Sequence, residues 1–359
     1  MPLWFADRGL SAAQIGEVLG LSSLLRVAVI PLCGRMADVL GHRRAALATA
    51  ALVAACASAL LPASPLVVPL FAAACIQGVA GATLAPLADA VTLPLAGAGA
   101  LDYGRTRAWG SVSYMVATAA GGTLLGAVGT GAVPPVLTAA YGLAALFGLL
   151  MPEVPRGVLA PHERGSVLRL PQFRLVLFAT ALIQGAHAAY YSFAALRWRG
   201  AGIPDGIVGL LIAEGIIAEI ALFIWGRRLV ERIGPGRLTM LAAGISAVRW
   251  AALAFVVDPW ALAALQTLHA GTFAFQHLSA MQVLGRIGPA RAATAQAWLS
   301  ALGYSLPGAA LVSVAGQLYA RDPAWAFLAM AAVAGLALPV GARLRGAMQA
   351  LDRNPESLP

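Results

Sequence analysis

The chain has 359 residues, of which 60% are hydrophobic types and 11% charged, with a formal charge of +9 and a mean hydropathy of +0.80. An ordinary soluble domain carries about 25% charged residues, so this chain could not cover itself with polar surface in water. All 24 basic residues are arginine, and most lie in short segments between apolar runs, so orientation in a bilayer explains the charge better than a nucleic-acid partner, and none is expected.

The apolar residues cluster in runs of roughly 18–25, the length a helix needs to cross about 30 Å of hydrocarbon. Backbone groups inside lipid must bond within their own segment, which makes helices the spanning element. The short alternating segments of a β-barrel are not visible. The expected fold class is an all-α polytopic membrane protein with eleven spans, over 12–33, 45–62, 66–92, 107–128, 133–151, 174–196, 205–225, 238–257, 260–284, 292–317 and 324–342. Alternate loops differ sharply in charge. The loops 33–45, 94–107, 152–174, 226–237 and 285–291 and the residues after the last span (343–359) hold 18 arginines, whereas the other set holds only Arg8, Arg197, Arg199 and Arg321. Arg26 and Arg249 fall inside spans. The positive-inside rule puts the arginine-rich loops and the C-terminus in the cytoplasm and Met1 outside, in a multi-pass protein of the cell's inner (plasma) membrane. Cys33, Cys56 and Cys75 lie in or beside apolar runs with no metal-ligand spacing, and read as small packing residues. The opening residues MPLWFADRGLS lack the basic and apolar regions of a cleavable signal.

The longest polar stretch, 152–173, carries four prolines, three arginines and two glutamates and reads as a cytoplasmic linker. It divides the chain into an N-terminal bundle (1–151, five helices), a C-terminal bundle (174–345, six helices) and a cytoplasmic tail (346–359). An internal repeat supports the division. A shift of 193 carries Gly16 onto Gly209, Arg35 onto Arg228, Asp38 onto Glu231, Gly41 onto Gly234 and Arg44 onto Arg237. The span over 174–196 has no counterpart in the first half. Two readings are open: a misassigned start codon that leaves out the first helix, or a true eleven-span form.

The segment GRMADVLGHRR, residues 34–44, sets Gly34, Asp38, Gly41, Arg43 and Arg44 between the first two greasy runs. The glycines permit tight turns, the aspartate can accept from a helix N-terminus or pair with an arginine, and the arginines anchor the loop at the inner face. This spacing resembles the cytoplasmic loop signature of the major facilitator superfamily, whose two helix bundles pack about an axis along the membrane normal. PLADAVTL (86–93), LDYGRTRAWGSVSY (101–114), LIQGAHAAYYSF (182–193), AEIALF (218–223), VRW (248–250) and QTLHAGTFAFQHLSAM (266–281) are similar to its 3-phenylpropionate transporter branch, related to the lactose/proton symporter group. The resemblance runs from residue 3 to roughly 340 and departs at the N-terminus, where the family's first helix is lacking.

Ionisable groups inside spans cost about 2.5–3.5 kcal/mol each on insertion scales, so each needs a reason. Glu219, Arg249, His269 and His277 lie on the eighth, ninth and tenth helices of a twelve-helix count. The lactose/proton group uses a Glu, an Arg and a His on those helices, and the resemblance implies that these four couple protons. Glu219 is then the proton-carrying carboxylate; the other reading is a static buried ion pair. Glu214, five residues earlier, falls about 140° round the helix and off that face. Arg249 and Arg26 could each neutralise a carboxylate or bind one from a substrate. His187, Tyr190 and Tyr191 share one helical face, as do His269, Phe273, Gln276 and His277. The resemblance places both faces along a central cavity, where His187, Tyr190, Tyr191, Arg26, Phe273 and Gln276 would contact substrate. The alternative is aromatic packing with histidines bonded to backbone. His269 and His277 lie two turns apart, which argues against a metal site. Asp89, Arg105 and Arg107 join the loop residues in an expected inner gate, and Tyr103 and Trp109 suit the membrane interface.

No P-loop, nucleophile elbow or zinc-protease signature occurs in the sequence. The implied function is secondary transport by alternating access, with protons as partners, the proton gradient as energy source and no cofactor. The implied cargo is a small organic anion such as the aromatic acid 3-phenylpropionate. A sugar or nucleoside symporter and a non-transporting membrane protein are the rivals. A monomer in the lipid bilayer is expected.

Overall fold

The computed structural model describes residues 1–40, 42–63, 67–97, 103–152, 167–226, 230, 232–287, 295–296 and 298–353. Every element among them is helical. A short α1 (Pro2–Asp7) precedes five rods: α2 (Ala12–Leu40), α3 (Arg43–Leu60), α4 (Val67–Gly97), α5 (Tyr103–Val128) and α6 (Val133–Leu150). The second series is α7 (Pro171–Gly185), α8 (His187–Gly200), α9 (Asp205–Trp225), α10 (Pro235–Leu253), α11 (Pro259–Thr267), α12 (Phe275–Ile287), α13 (Leu306–Arg321), α14 (Pro323–Gly335) and α15 (Ala337–Arg353). Each of the eleven expected segments falls on helix, and among the described residues seven helical stretches are long and apolar enough to cross a membrane.

Local chemistry sets the ends. Prolines open α1, α7, α10, α11 and α14 at positions where no intrahelical N–H is needed. Asp258 and Asp322 cap α11 and α14, accepting from the backbone N–H of Ala261 at 2.9 Å and of Ala324 at 2.7 Å. Three expected spans are broken. At Ala186, the His187 imidazole Nδ1 reaches the Ile183 carbonyl at 2.9 Å, the acceptor its own backbone N–H would take in a continuous helix. Pro339 has no N–H for the carbonyl of Gly335, and the helix breaks at Leu336. A π-helical turn over Ala270–Ala274 separates α11 from α12, and there the Thr272 hydroxyl bonds back to the His269 carbonyl at 3.0 Å. Boundaries also differ from expectation: α2 runs on to Leu40, through most of the expected loop over 33–45, and two further differences touch the division into bundles. Helix begins at Pro171, inside the expected linker, because Leu170 and Phe173 are buried beside Val283 and Leu344. The last helix runs to Arg353, past the expected end of the bundle at 345, because Val340, Leu344 and Met348 recur every four residues on its buried face.

In the first series α3 packs against α4 and α6, and α2 against α4. In the second, α10 packs against α12, α14 and α15, and α7 against α15. The two series meet chiefly where α2 crosses α13 and where α5 crosses α9. Both crossings sit at the arginine-poor end and are made by bare backbone. A Cβ on Gly209 would stand 2.8 Å from the Cα of Gly122, and one on Gly16 would stand 2.9 Å from the Cα of Gly316. A shift of 193 carries Gly16 onto Gly209 and one of 194 carries Gly122 onto Gly316, so the repeat relates the two crossings.

The repeat also shows in the turns that lead into α2 and α9. Gly9 and Gly202 have φ of +85° and +88°. Leu10 N–H donates to the Phe5 carbonyl and Ile203 N–H to the Trp198 carbonyl, each at 3.0 Å. These are two copies of one left-handed helix cap, 193 residues apart. The outer faces expose large apolar side chains such as Phe147 and Leu150, as lipid contact requires. Trp109, Trp225 and Trp260 stand exposed near helix ends, where an amphipathic ring suits the interface.

Candidate functional site

A chamber of about 390 Å³ lies between α5, α8, α9 and the π-helical turn, lined by Gly110, Tyr114, Tyr190, Tyr191, Ile212, Ile216, Glu219, Ile220, Phe223, His269 and Phe273. Its wall is aromatic and aliphatic, and Glu219 is its one carboxylate among the described residues. The break at Ala186 and the π turn put His187 and His269 on the two elements that face each other, with ring centroids 5.8 Å apart. Irregular turns inside helices often mark such sites, because they re-aim side chains. Tyr190 lies 5.7 Å from the His269 ring and Phe273 stacks on His269 at 5.9 Å.

Behind this wall Arg249 is completely buried. Its Nε donates to the Leu265 carbonyl at 3.1 Å, Nη1 to His269 Nδ1 at 3.1 Å and to Thr272 Oγ1 at 3.2 Å, and Nη2 to Gln266 Oε1 at 2.5 Å. The guanidinium lies 4.7 Å from the ring centroids of both Tyr190 and Trp250, a placement that the negative face of each ring stabilises. No carboxylate pairs with it among the described residues. Arginine only donates, so His269 Nδ1 must accept, and Nε2 carries the proton. That Nε2 points at Glu219 Oε2 from 3.6 Å, slightly too long for a hydrogen bond. The direct Glu219–Arg249 pairing considered from the sequence is therefore replaced by a line, Glu219, His269, Arg249, with the histidine between the charges.

The remaining expected residues divide. His187 is buried beside this line, its Nε2 3.2 Å from Thr272 Oγ1. His277 bonds Tyr304 Oη at 3.1 Å and stacks on Phe273. Gln276 is sealed from the chamber and donates to Thr180 Oγ1 at 2.9 Å. Glu214 lines a different cavity with Met115, Ala119 and Ile217, as its angular offset requires. Arg26 lies apart, in a cavity of about 330 Å³ between α2, α4 and α6. Of the expected inner gate, Arg44 reaches the Met151 carbonyl at 3.5 Å, and Arg43 and Asp89 are half-buried. Gly41 and the side-chain positions of Gly34, Asp38, Arg105 and Arg107 lie outside the described residues.

The structure adds groups that the sequence reading passed over. Tyr114 comes from α5 to face Tyr191 and Glu219 across the chamber. Trp250, Gln266 and Thr272 hold Arg249, and all three stand inside stretches that carry the family resemblance. At the arginine-poor end, Arg199 on α8 pairs with Asp7 on α1 at 3.0 Å and with Asp205 on α9 at 3.1 Å, and Thr130 donates to Asp7 at 2.5 Å. This latch ties the two helix series together. In sequence its members look like ordinary loop charges, and no local signal marks them.

Comparison with known proteins agrees with the geometry. The MFS_1 like family model matches residues 1–329. The chain is 32% identical over 257 residues to a probable 3-phenylpropionic acid transporter of Escherichia coli (strain K12), covering 70% of this chain and 68% of that protein. It is 29% identical over 319 residues to a maltose permease of Geobacillus stearothermophilus, covering 87% and 80%. Among solved structures it superposes on the nucleoside transporter NupG with a TM-score of 0.78 at 16% identity, covering 97% and 93% of the two chains. On a bacterial homologue of the lysosomal transporter Spinster the TM-score is 0.66, also at 16% identity, covering 97% and 94%. Lipid-facing helices, repeat-related crossings and a polar line at an aromatic chamber lead to the same conclusion: the chain belongs to the MFS_1 like family and is a multi-pass membrane transporter of the major facilitator superfamily, not an enzyme.

Proposed function

We propose that this transporter takes up a small organic anion, an aromatic acid such as 3-phenylpropionate, together with protons, by alternating access in the inner membrane with its C-terminus in the cytoplasm. The observation that carries the reading is the chamber itself. Aromatic walls suit a phenyl ring, and the one carboxylate there among the described residues, Glu219, is poised on a neutral histidine rather than neutralised by arginine. A carboxylate in that setting can gain and lose a proton without breaking a salt bridge, and the change is felt by His269 and, through it, by Arg249. In this reading the bundles over 1–151 and 174–345 rock about the chamber, and the inner helix ends carrying Asp38, Arg43 and Arg44 close the cytoplasmic side. The likeness to a 3-phenylpropionic acid transporter supports the cargo class. The likeness to a maltose permease supports a sugar instead, but few groups in the chamber could pair the hydroxyls of a sugar, and each one left unpaired loses affinity.

The test is uptake of labelled 3-phenylpropionate into proteoliposomes under an imposed pH gradient, acid outside. Accumulation that collapses with a protonophore is expected. One proton yields about 2.3 kcal/mol per 100 mV of membrane potential. Glu219→Gln should lose uphill accumulation while still exchanging internal for external substrate. Accumulation indifferent to the gradient, or maltose accumulated in preference to the acid, refutes the reading.

A further inference from the structure

Arg249 and Glu219 stand on opposite sides of the His269 ring, and the arginine side decides what the ring can do. A neutral imidazole has one N–H and one lone pair, whereas a charged one has two N–H groups and no lone pair. Arg249 Nη1 donates to Nδ1 at 3.1 Å, so the lone pair is filled from behind, and Nε2–H faces Glu219 Oε2 from 3.6 Å. A second proton on the ring would have to sit on Nδ1, where it would meet a donor that itself carries positive charge. The surroundings fix the guanidinium in this place. The Leu265 carbonyl accepts from Nε, Thr272 Oγ1 takes a second bond from Nη1 at 3.2 Å, and Gln266 Oε1 accepts from both Arg249 Nη2 and Tyr190 Oη. Gln266 is completely buried and its amide nitrogen has no partner. The side chain leaves a buried donor empty, which is unfavourable, and keeps its oxygen on the arginine.

We propose that Arg249 is a positioning residue for proton coupling: by filling Nδ1 it holds His269 as a neutral donor, so that the proton of the cycle resides on Glu219 and exchanges only with the chamber. The proposal rests on reading Glu219 as the proton carrier. With Nδ1 filled and Nε2 already bearing a hydrogen, the ring has no lone pair to receive a proton from Glu219. The Glu219 O–H bond then breaks only toward water or the cargo's carboxylate, and the new O–H bond forms there. Without the arginine, Nδ1 would take up a proton from water, and the resulting imidazolium would pair with the ionised Glu219 and hold it in that state. The close approach of α9 is built in as well. A Cβ on Gly215 would stand 3.2 Å from His269 Cβ and 3.5 Å from Gln266 Oε1, and Glu219 lies one turn further along the same face of α9. The other titratable groups around the ring are His187, Tyr190 and Tyr191 on α8 and Tyr114 on α5.

The test is solid-state nitrogen NMR of the full chain in phosphatidylcholine liposomes, with heavy nitrogen at histidine and arginine. His269 is assigned as the signal that His269→Gln removes. At about pH 5.5, a unit below its ordinary value, a free imidazole is roughly tenfold in favour of the charged form. Wild-type His269 should instead be at least about tenfold in favour of the neutral form there, with its hydrogen on Nε2, as it is at about pH 7. Arg249→Leu should turn His269 into imidazolium at the lower pH, a change that loss of stability alone does not produce. An imidazolium or an Nδ1-protonated ring in the wild type overturns the proposal, as does a neutral ring in folded Arg249→Leu. Should that variant fail to fold, the wild type decides by the coupling across the hydrogen bond between Arg249 Nη1 and His269 Nδ1, whose absence overturns the proposal. All these signals are read without cargo. A neutral His269 in a protein that accumulates nothing under a pH gradient removes the proton-coupled uptake and keeps the assignment of the ring. An imidazolium in a protein that does accumulate cargo removes the positioning role alone.

Discussion

Gly209→Ala should open the arginine-poor end of the transporter. The added Cβ would stand 2.8 Å from the Cα of Gly122, 3.0 Å from the Thr118 carbonyl oxygen and 3.2 Å from the Gly122 nitrogen. All three are backbone atoms of α5, so no side chain can swing aside. Carbon atoms in contact prefer about 3.5–4.0 Å, so α5 and α9 must part by somewhat under 1 Å. Overpacking of that kind costs about 1–3 kcal/mol. The cost falls only on the state in which these helix ends touch, which shifts the closed-to-open ratio by roughly 5- to 150-fold. Spin labels at Val128 and Ile207, exposed positions on that end of α5 and α9, would report the separation by pulsed electron resonance. Gly126→Ala is the control, because its nearest neighbour, the Gly206 nitrogen, lies at 3.7 Å and need not move. A new long-distance population in Gly209→Ala alone is expected. Identical distance distributions in the two variants would show that the glycine contact does not hold this end shut.

The two arginines inside the spans should differ in what they support. Arg249→Leu removes four hydrogen bonds, to Leu265, Gln266, His269 and Thr272, and leaves His269 Nδ1 without its donor, so it should cost about 3 kcal/mol, whereas Arg26→Leu removes one bond and should cost about 1 kcal/mol; thermal unfolding in detergent ranks them, and equal losses would contradict the contrast. At the latch, Asp7→Asn removes an exposed ion pair worth about 0–1 kcal/mol, while Arg199→Gln should cost more, because Asp205, whose side chain is 8% exposed, then keeps a carboxylate without its guanidinium. A denaturation series showing the reverse order would refute that assignment. Tyr304→Phe frees the His277 ring nitrogen from its 3.1 Å partner and should lower stability by about 1 kcal/mol, with a melting point unchanged from wild type as the contrary result.

Much of the molecule was legible before any coordinates. Run length and the scarcity of charge gave the helices, and matching glycines and charges 193 residues apart gave the repeat. Intramembrane charge cost singled out Glu219, Arg249 and Arg26. What the sequence could not show was how these groups divide. Glu219 and Arg249 looked like partners because opposite charges inside a bilayer are expected to meet. The π turn after His269 instead sets an imidazole between them, and Arg26 is carried to a cavity of its own between α2, α4 and α6. Gln276 shared a helical face with His269 and Phe273 on a regular 3.6-residue count, and the π turn rotates that face so that Gln276 meets Thr180 instead.

The sequence by itself determined that the chain lives in lipid, that it is helical, that its halves repeat and which ionisable groups the membrane must tolerate, because each of these follows from local composition and from the solvation cost of a single residue or segment. Only the tertiary structure decided which guanidinium is saturated, which glycines touch and which loop charges form a latch. Those outcomes depend on distances between residues tens or hundreds of positions apart, where an ångström separates a made bond from an empty one.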